Sequence, residues 1–155
     1  MKNDKYYTYT SPFGNIIIVS NGNAITNITL ESKINPQCKK EADVLTDKAA
    51  GQLEEYFAGK RREFDLPLDP CGSDFQRKVW QALENIPYGQ TKSYKQIAQI
   101  IDNPKACRAV GLANNKNPIW IMIPCHRVIG SDGKLVGYGG GLAMKQRLLE
   151  IELKM

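Results

Sequence analysis

The stretch Ile119-Trp120-Ile121-Met122-Ile123-Pro124-Cys125-His126-Arg127 constrains this chain more than any other. Four apolar residues and a tryptophan demand burial, and the proline then ends the run. The only histidine of the protein follows a cysteine directly. Cysteine does nucleophilic work as a thiolate, which a nearby base and an electropositive, partly dry pocket make available near neutral pH. The stretch therefore reads as a buried support carrying a Cys-His-Arg step, and the active site is placed there. For an isolated Cys-His pair an inert core thiol is the commoner case, so the decision falls to the rest of the chain.

At 155 residues there is room for one domain or two small ones sharing a junction. No apolar stretch has membrane-spanning length, and the start, Met1-Lys2-Asn3-Asp4-Lys5, lacks the apolar core of a secretion signal. A cytoplasmic protein that avoids membranes is the expectation. Cys38, Cys71, Cys107 and Cys125 show no close-paired spacing, which excludes a zinc knuckle or a redox pair and fits reduced thiols. No metal or organic cofactor is indicated. Residues 1–70 hold nine Lys/Arg against ten Asp/Glu, whereas residues 71–155 hold twelve against six. A basic excess confined to one half points to an anionic partner, nucleic acid first, although solubilising lysines give the same count.

Tyr6 to Leu30 is strand-like: Tyr6–Thr10, Asn15–Val19 and Ala24–Leu30, separated by Pro12-Phe13-Gly14 and Asn21-Gly22-Asn23. A small antiparallel sheet follows from this, with Glu31–Lys40 as loop. Ala42, Leu45, Ala49, Leu53 and Tyr56 recur with helical period from Glu41 to Phe57, and Gly59 ends that run. The charged, proline-bearing segment Arg61–Gly72 reads as connection, giving domains at 1–66 and 73–155 with a linker at 67–72.

Ser73 and Gln76 have capping-box spacing, and Phe75, Val79, Ala82, Leu83 and Ile86 form one helical face until Pro87-Tyr88-Gly89. A second box at Ser93 and Gln96 starts a helix with Tyr94, Ile97, Ala98 and Ile101 inward. Asn103 as N-cap and Pro104 at the first helical position predict that the next helix begins at once. Two helices so closely joined in the basic half suggest a helix-turn-helix. On the second helix Ala106, Ala109, Val110 and Ala113 take one side, and Arg108, Gly111, Leu112 and Asn115 the other. Gly111 thins that outer face where another surface must approach.

Pro124-Cys125-His126-Arg127-Val128, followed by Val136-Gly137-Tyr138-Gly139-Gly140-Gly141-Leu142, resembles the signature of the O6-alkylguanine-DNA alkyltransferases, the methylated-DNA-protein-cysteine methyltransferases. Phe75, Val79-Trp80, Leu83, Ile86-Pro87-Tyr88-Gly89, Thr91, Ser93-Tyr94, Asn103-Pro104, Arg108-Ala109-Val110-Gly111 and Asn117-Pro118 extend the resemblance in the family's order, over essentially all of residues 73–152. Residues 1–70 share with the family their size and strand-then-helix order.

The resemblance implies a ribonuclease-H-like α/β N-terminal domain and a mainly helical C-terminal domain with a winged-helix-like helix-turn-helix. It also implies a single-use reaction on double-stranded DNA, the irreversible transfer of an alkyl group from O6 of guanine to Cys125. In that scheme His126 takes the thiol proton through a bound water, Glu152 orients His126, and Asn117 braces the site. Tyr94 donates to the departing guanine, and backbone groups of Val128, Tyr138 and Gly139 read the base edge. The DNA contacts fall on Ala106, Cys107, Arg108, Gly111 and Ser131, with Arg108 filling the stack vacated by the extruded base. Glu152 has support of its own, since it lies on the apolar side of Leu148 and Leu149 and wants a partner there; three residues from the end, it could equally sit in a frayed turn.

Two positions differ from relatives. Gly139 stands where the vertebrate enzymes have serine, and Val136, where some relatives have glycine, is expected to narrow the pocket against bulky alkyl groups. The competing readings are a non-reacting alkyltransferase-like DNA binder, a cysteine hydrolase on Cys125, His126 and Glu152, and a plain DNA-binding regulator. A monomer is the default. Alkyl-size preference and activity on O4-alkylthymine are open at this level.

Overall fold

The computed structural model describes residues 4–153, so residues 1–3 of the start read above lie outside it. The chain divides into two compact units, Met1–Cys71 and Gly72–Met155.

The first unit is built on strands β1 (Lys5–Tyr9), β2 (Ile16–Ser20) and β3 (Ile25–Leu30). β2 is antiparallel to both neighbours, and a register shift at Val19/Ser20 marks a bulge. Every residue of β2 is buried, as expected for a central strand made of Ile-Ile-Ile-Val. The sheet is mixed rather than purely antiparallel, because Lys39–Lys40 forms a short strand, β4, parallel to β1 on the edge opposite β3. Two lysines carry no strand signal; the pairing is fixed by Glu41, whose carboxylate bridges Lys5 at 2.6 Å and Lys39 at 3.0 Å across the two strands. A single 3-10 turn, Glu31–Lys33, also interrupts the expected loop.

Helix α1 (Val44–Phe57) packs on this sheet with Ala49, Leu53 and Tyr56 buried. It starts later than Glu41 because Asp43 caps it: the Asp43 carboxylate accepts from Thr46 N, and the Thr46 hydroxyl accepts from Asp43 N. Pro67 to Asp69 runs beside β3, with Ile25 N donating to Pro67 O and Asp69 N to Ile25 O.

The second unit contains α2 (Asp74–Glu84), the short strand β5 (Lys92–Ser93), α3 (Tyr94–Ile100), α4 (Cys107–Asn115), strand β6 (Val128–Ile129) and α5 (Leu142–Leu153). Both expected capping boxes are present, Ser73 with Gln76 and Ser93 with Gln96. α2, α3 and α4 pack on one another, and the buried indole of Trp80 on α2 donates to Ala113 O on α4 at 2.9 Å. A two-residue parallel ladder, Lys92 with Val128 and Ser93 with Ile129, joins the start of α3 to the segment after Cys125.

The turn between α3 and α4 differs from the expectation. Asn103-Pro104 does not start the helix; Ala106 N donates to Asn103 O in a separate turn, and α4 begins at Cys107 with no side-chain cap. α3 ends in a Schellman arrangement, with Asn103 N donating to Ala98 O, Asp102 N to Gln99 O, and Asp102 at φ 60°. This closure uses the backbone of Asn103 and sends the chain into the turn first. The burial of α4 also departs from the expected faces: Val110, Ala113 and Asn114 are inside, and Ala109 is exposed.

No helix among the described residues is long and apolar enough to cross a membrane. An aspartate held in the left-handed region is strained where glycine is not. Asp102→Gly should therefore raise stability by about 0.5–1 kcal/mol, read as a higher urea midpoint, unless the aspartate side chain itself stabilises the turn.

Candidate active site

Cys125 opens a single 3-10 turn, Cys125–Arg127, and is 4% exposed. The backbone before it is folded back on itself rather than extended. Met122 N donates to Trp120 O at 2.8 Å across Ile121, whose φ is 74°, and Cys125 N donates to Ile123 O at 2.8 Å across Pro124 at φ −81°, ψ 65°. The first is a γ-turn of the strained hand and the second an inverse γ-turn, the relaxed form. A β-branched residue at positive φ costs about 1–3 kcal/mol unless its surroundings hold it there. Asn117 supplies that hold from a buried position, its Oδ1 accepting from Ile119 N at 3.0 Å and its Nδ2 donating to Ile123 O at 2.8 Å. The apolar run is thus a buried support, as its composition requires, in the form of consecutive tight turns that present Cys125.

His126 and Arg127 point into the same buried polar cluster. Glu152 is 1% exposed, so its place near the end of α5 is anything but frayed. Its Oε2 lies 2.6 Å from His126 Nε2 and accepts from Arg127 Nη2 at 3.0 Å; its Oε1 accepts from Arg127 Nε at 2.8 Å and from Gly89 N at 3.2 Å. Arg127 Nη1 donates to Ile86 O at 2.7 Å, and the guanidinium sits over the Tyr88 ring. Burial pushes the Glu152 carboxyl up, but hydrogen bonds and charge from His126 and Arg127 outweigh it and hold it at about 2. Burial pulls the His126 imidazole below its ordinary value, with Glu152 pulling the other way. Histidine is therefore neutral at pH 7, with Nε2–H committed to the carboxylate and Nδ1 as the basic nitrogen.

Burial pushes the Cys125 thiol up to about 11, opposed by a hydrogen bond from Asn117 and the charge of Lys145. Ionising it alone at pH 7 would cost on the order of 5 kcal/mol. A ready-made thiolate is thus excluded, and the thiol must pass its proton to a base as it reacts.

Lys145 is a site residue that sequence reading missed. Its buried ammonium donates to Val136 O at 2.8 Å and Gly137 O at 3.2 Å, and burial brings it down to about 8. The available signal was its spacing with Leu148 and Glu152, three and seven residues on, which places all three on one helix face. Arg127 was likewise seen as part of a motif but given no partner.

The remaining residues gather around Tyr94 and the loop after β6. Tyr94 Oη donates to Val136 O at 2.9 Å, and the ladder of β5 with β6 sets Val128 beside the start of its helix. Gly111 lies against Tyr94, with space for a methyl group 3.9 Å from the ring. Tyr138 stacks at 5.5 Å on Trp120. A side chain at Gly139 would place its first carbon 2.5 Å from the Trp120 ring, and one at Gly140 would collide with Met144 Sδ. Gly139 is thus required by Trp120, which occupies the space a serine would need. Ala106 is half-buried; Cys107, Arg108 and Ser131 are exposed.

Residues 5–70 match the family model for the ribonuclease-like domain of 6-O-methylguanine DNA methyltransferase, and residues 74–154 match the model for its DNA-binding domain. A methylated-DNA–protein-cysteine methyltransferase of Methanosarcina barkeri is 51% identical over 95% of this chain and 96% of its own length. One of Mycobacterium leprae is 48% identical over 92% and 88%. Among solved structures, Mycobacterium tuberculosis OGT in complex with DNA superposes with a TM-score of 0.91 at 48% identity, covering 96% of this chain and 92% of that one. With both units matched and half the residues shared over nearly the whole length, the chain belongs to the methylated-DNA–protein-cysteine methyltransferase family.

Proposed function

We propose that this protein repairs double-stranded DNA in the cytoplasm by drawing O6-alkylguanine out of the helix and moving the alkyl group irreversibly to Cys125. The observation that carries the reading is the pairing of buried His126 with buried Glu152 at 2.6 Å, one residue from a buried thiol. In the reaction the carbon–O6 bond breaks as the sulfur–carbon bond forms. The thiol proton goes to Nδ1 of His126, Glu152 stabilises the resulting imidazolium, and Lys145 offsets the charge developing on sulfur. Guanine leaves as an anion and takes a proton from Tyr94. Thiol and O6-alkylguanine become thioether and guanine, and nothing in that product returns the thiol.

Burial raises the Tyr94 phenol, and a hydrogen bond from Asn114 counters that. Val128, Tyr138 and Gly139 offer backbone groups to the base, and Asn117 both braces the turn and donates to sulfur. Ala106, Cys107, Arg108, Gly111 and Ser131 form the DNA-facing set, with Arg108 filling the gap left by the extruded base. The DNA complex of the M. tuberculosis relative supports a DNA partner.

One equivalent of duplex carrying O6-methylguanine should leave the Cys125 peptide heavier by one methyl group and the protein spent, as mass spectrometry would record. Repaired DNA beside an unmodified Cys125 would refute the transfer, and many turnovers on an ester would favour a hydrolase. Arg108→Ala should slow reaction with duplex at least tenfold while sparing reaction with free O6-methylguanine; equal losses on both would argue against a stack-filling role. Because burial lowers His126, the acid limb of the pH–rate profile should lie below pH 6.5, and Glu152→Gln should move it lower still by removing the carboxylate that raises it. The same substitution should cost about 3–5 kcal/mol of stability by leaving Arg127 unpaired. The loss should shrink as pH falls through 4.5 toward 2, where the native carboxylate is itself neutralised.

A further inference from the structure

We propose that Asn114 reads the 2-amino group of the extruded guanine through its side-chain carbonyl, a specificity contact that rests on the alkyl-transfer reading above. Asn114 lies three residues beyond Gly111 on α4, on the side facing Tyr94, and is 2% exposed. Its Nδ2 donates to Cys125 O at 3.4 Å and hydrogen-bonds the Tyr94 phenol. These neighbours fix the orientation of the amide. A carbonyl oxygen and a phenol whose own hydrogen goes to Val136 O both require a donor, so Nδ2 faces them and Oδ1 faces away. Oδ1 is buried and accepts no hydrogen bond. An acceptor left so beside a reactive cysteine is unusual and costs stability, and a bound donor would resolve it.

The chemistry of guanine supplies that donor in the required place. Alkylation at O6 removes the hydrogen from N1 but leaves the opposite edge unchanged, where the acceptor N3 adjoins the 2-amino donor. Tyr94 O–H and Asn114 Oδ1 are the complementary pair, donor beside acceptor. When Tyr94 turns its hydrogen from Val136 O to the base, Val136 O keeps the ammonium of Lys145, so no group is left without a partner. Bases without a 2-amino group would leave Oδ1 unsatisfied and react more slowly.

The test compares single-stranded oligonucleotides carrying O6-methylguanine or O6-methylhypoxanthine, which differ only in the 2-amino group, by the rate of methylation at Cys125. The wild-type protein should prefer the amino-bearing lesion by about ten- to hundredfold. Asn114→Leu, similar in shape but with neither donor nor acceptor, should bring the two rates within about threefold by slowing the O6-methylguanine reaction. Asn114→Asp, which keeps an acceptor, should slow both reactions and retain the preference. Should either variant fail to fold, the wild-type ratio still decides, since equal rates on the two lesions overturn the inference. An unchanged ratio in Asn114→Leu overturns it too. Absence of transfer from either oligonucleotide would overturn the alkyl-transfer reading and this inference together; equal transfer from both overturns this inference alone.

Discussion

The buried carboxylate of Glu152 is the interaction on which the second unit turns. A carboxylate taken out of water must be matched by donors, and here four arrive from two separate segments: one from His126, two from Arg127 and the Gly89 amide. The last turn of α5 is thereby fastened to the turn that carries Cys125 and to the loop after α2. Stability and chemistry are coupled at this point, because the charge that secures the terminal helix also sets the tautomer and the basicity of the imidazole.

The consequence for the cysteine is that reactivity is conditional. Burial makes the thiol a poor acid, and the neighbouring imidazole is held neutral by the same burial. A thiol kept protonated resists adventitious oxidation and metal capture, which suits a residue that acts once. Proton transfer becomes favourable only when substrate brings an electrophilic carbon and a leaving group that accepts charge. The folded-back backbone before Cys125 serves the same end. Ile121 is held at positive φ by the Asn117 clamp and by its own burial, a local cost met to aim the sulfur.

Space around the pocket is set by exclusions between residues distant in sequence. Trp120 fills the volume behind Gly139 and Gly140, so two glycines there answer to one tryptophan nineteen and twenty positions earlier. Gly111 allows Tyr94 to lie against α4, and Asn114 one turn on then meets both the phenol and the Cys125 carbonyl. Val136 O takes hydrogens from both Tyr94 and Lys145, which ties the glycine-rich loop to the two groups that handle charge on either side of the reaction.

The sequence by itself determined the features that depend on local rules. Period two against period 3.6 separated the sheet from the helices, capping boxes at Ser73 and Ser93 set two helix starts, and the Cys-His step with the spacing of the last helix singled out Cys125, His126 and Glu152. Where local signals compete, only the tertiary structure decided. Asn103-Pro104 could cap a helix or make a turn, and the backbone closure of α3 chose the turn. Lys39–Lys40 became a strand because Glu41 bridged it to β1, and Lys145, Arg127 and Asn114 joined the site through partners far along the chain. Burial explains the division: a pattern in sequence tells which side of an element faces inward, whereas the protonation of a thiol, an imidazole or an ammonium depends on which charges and dipoles the fold brings to it once water has been excluded.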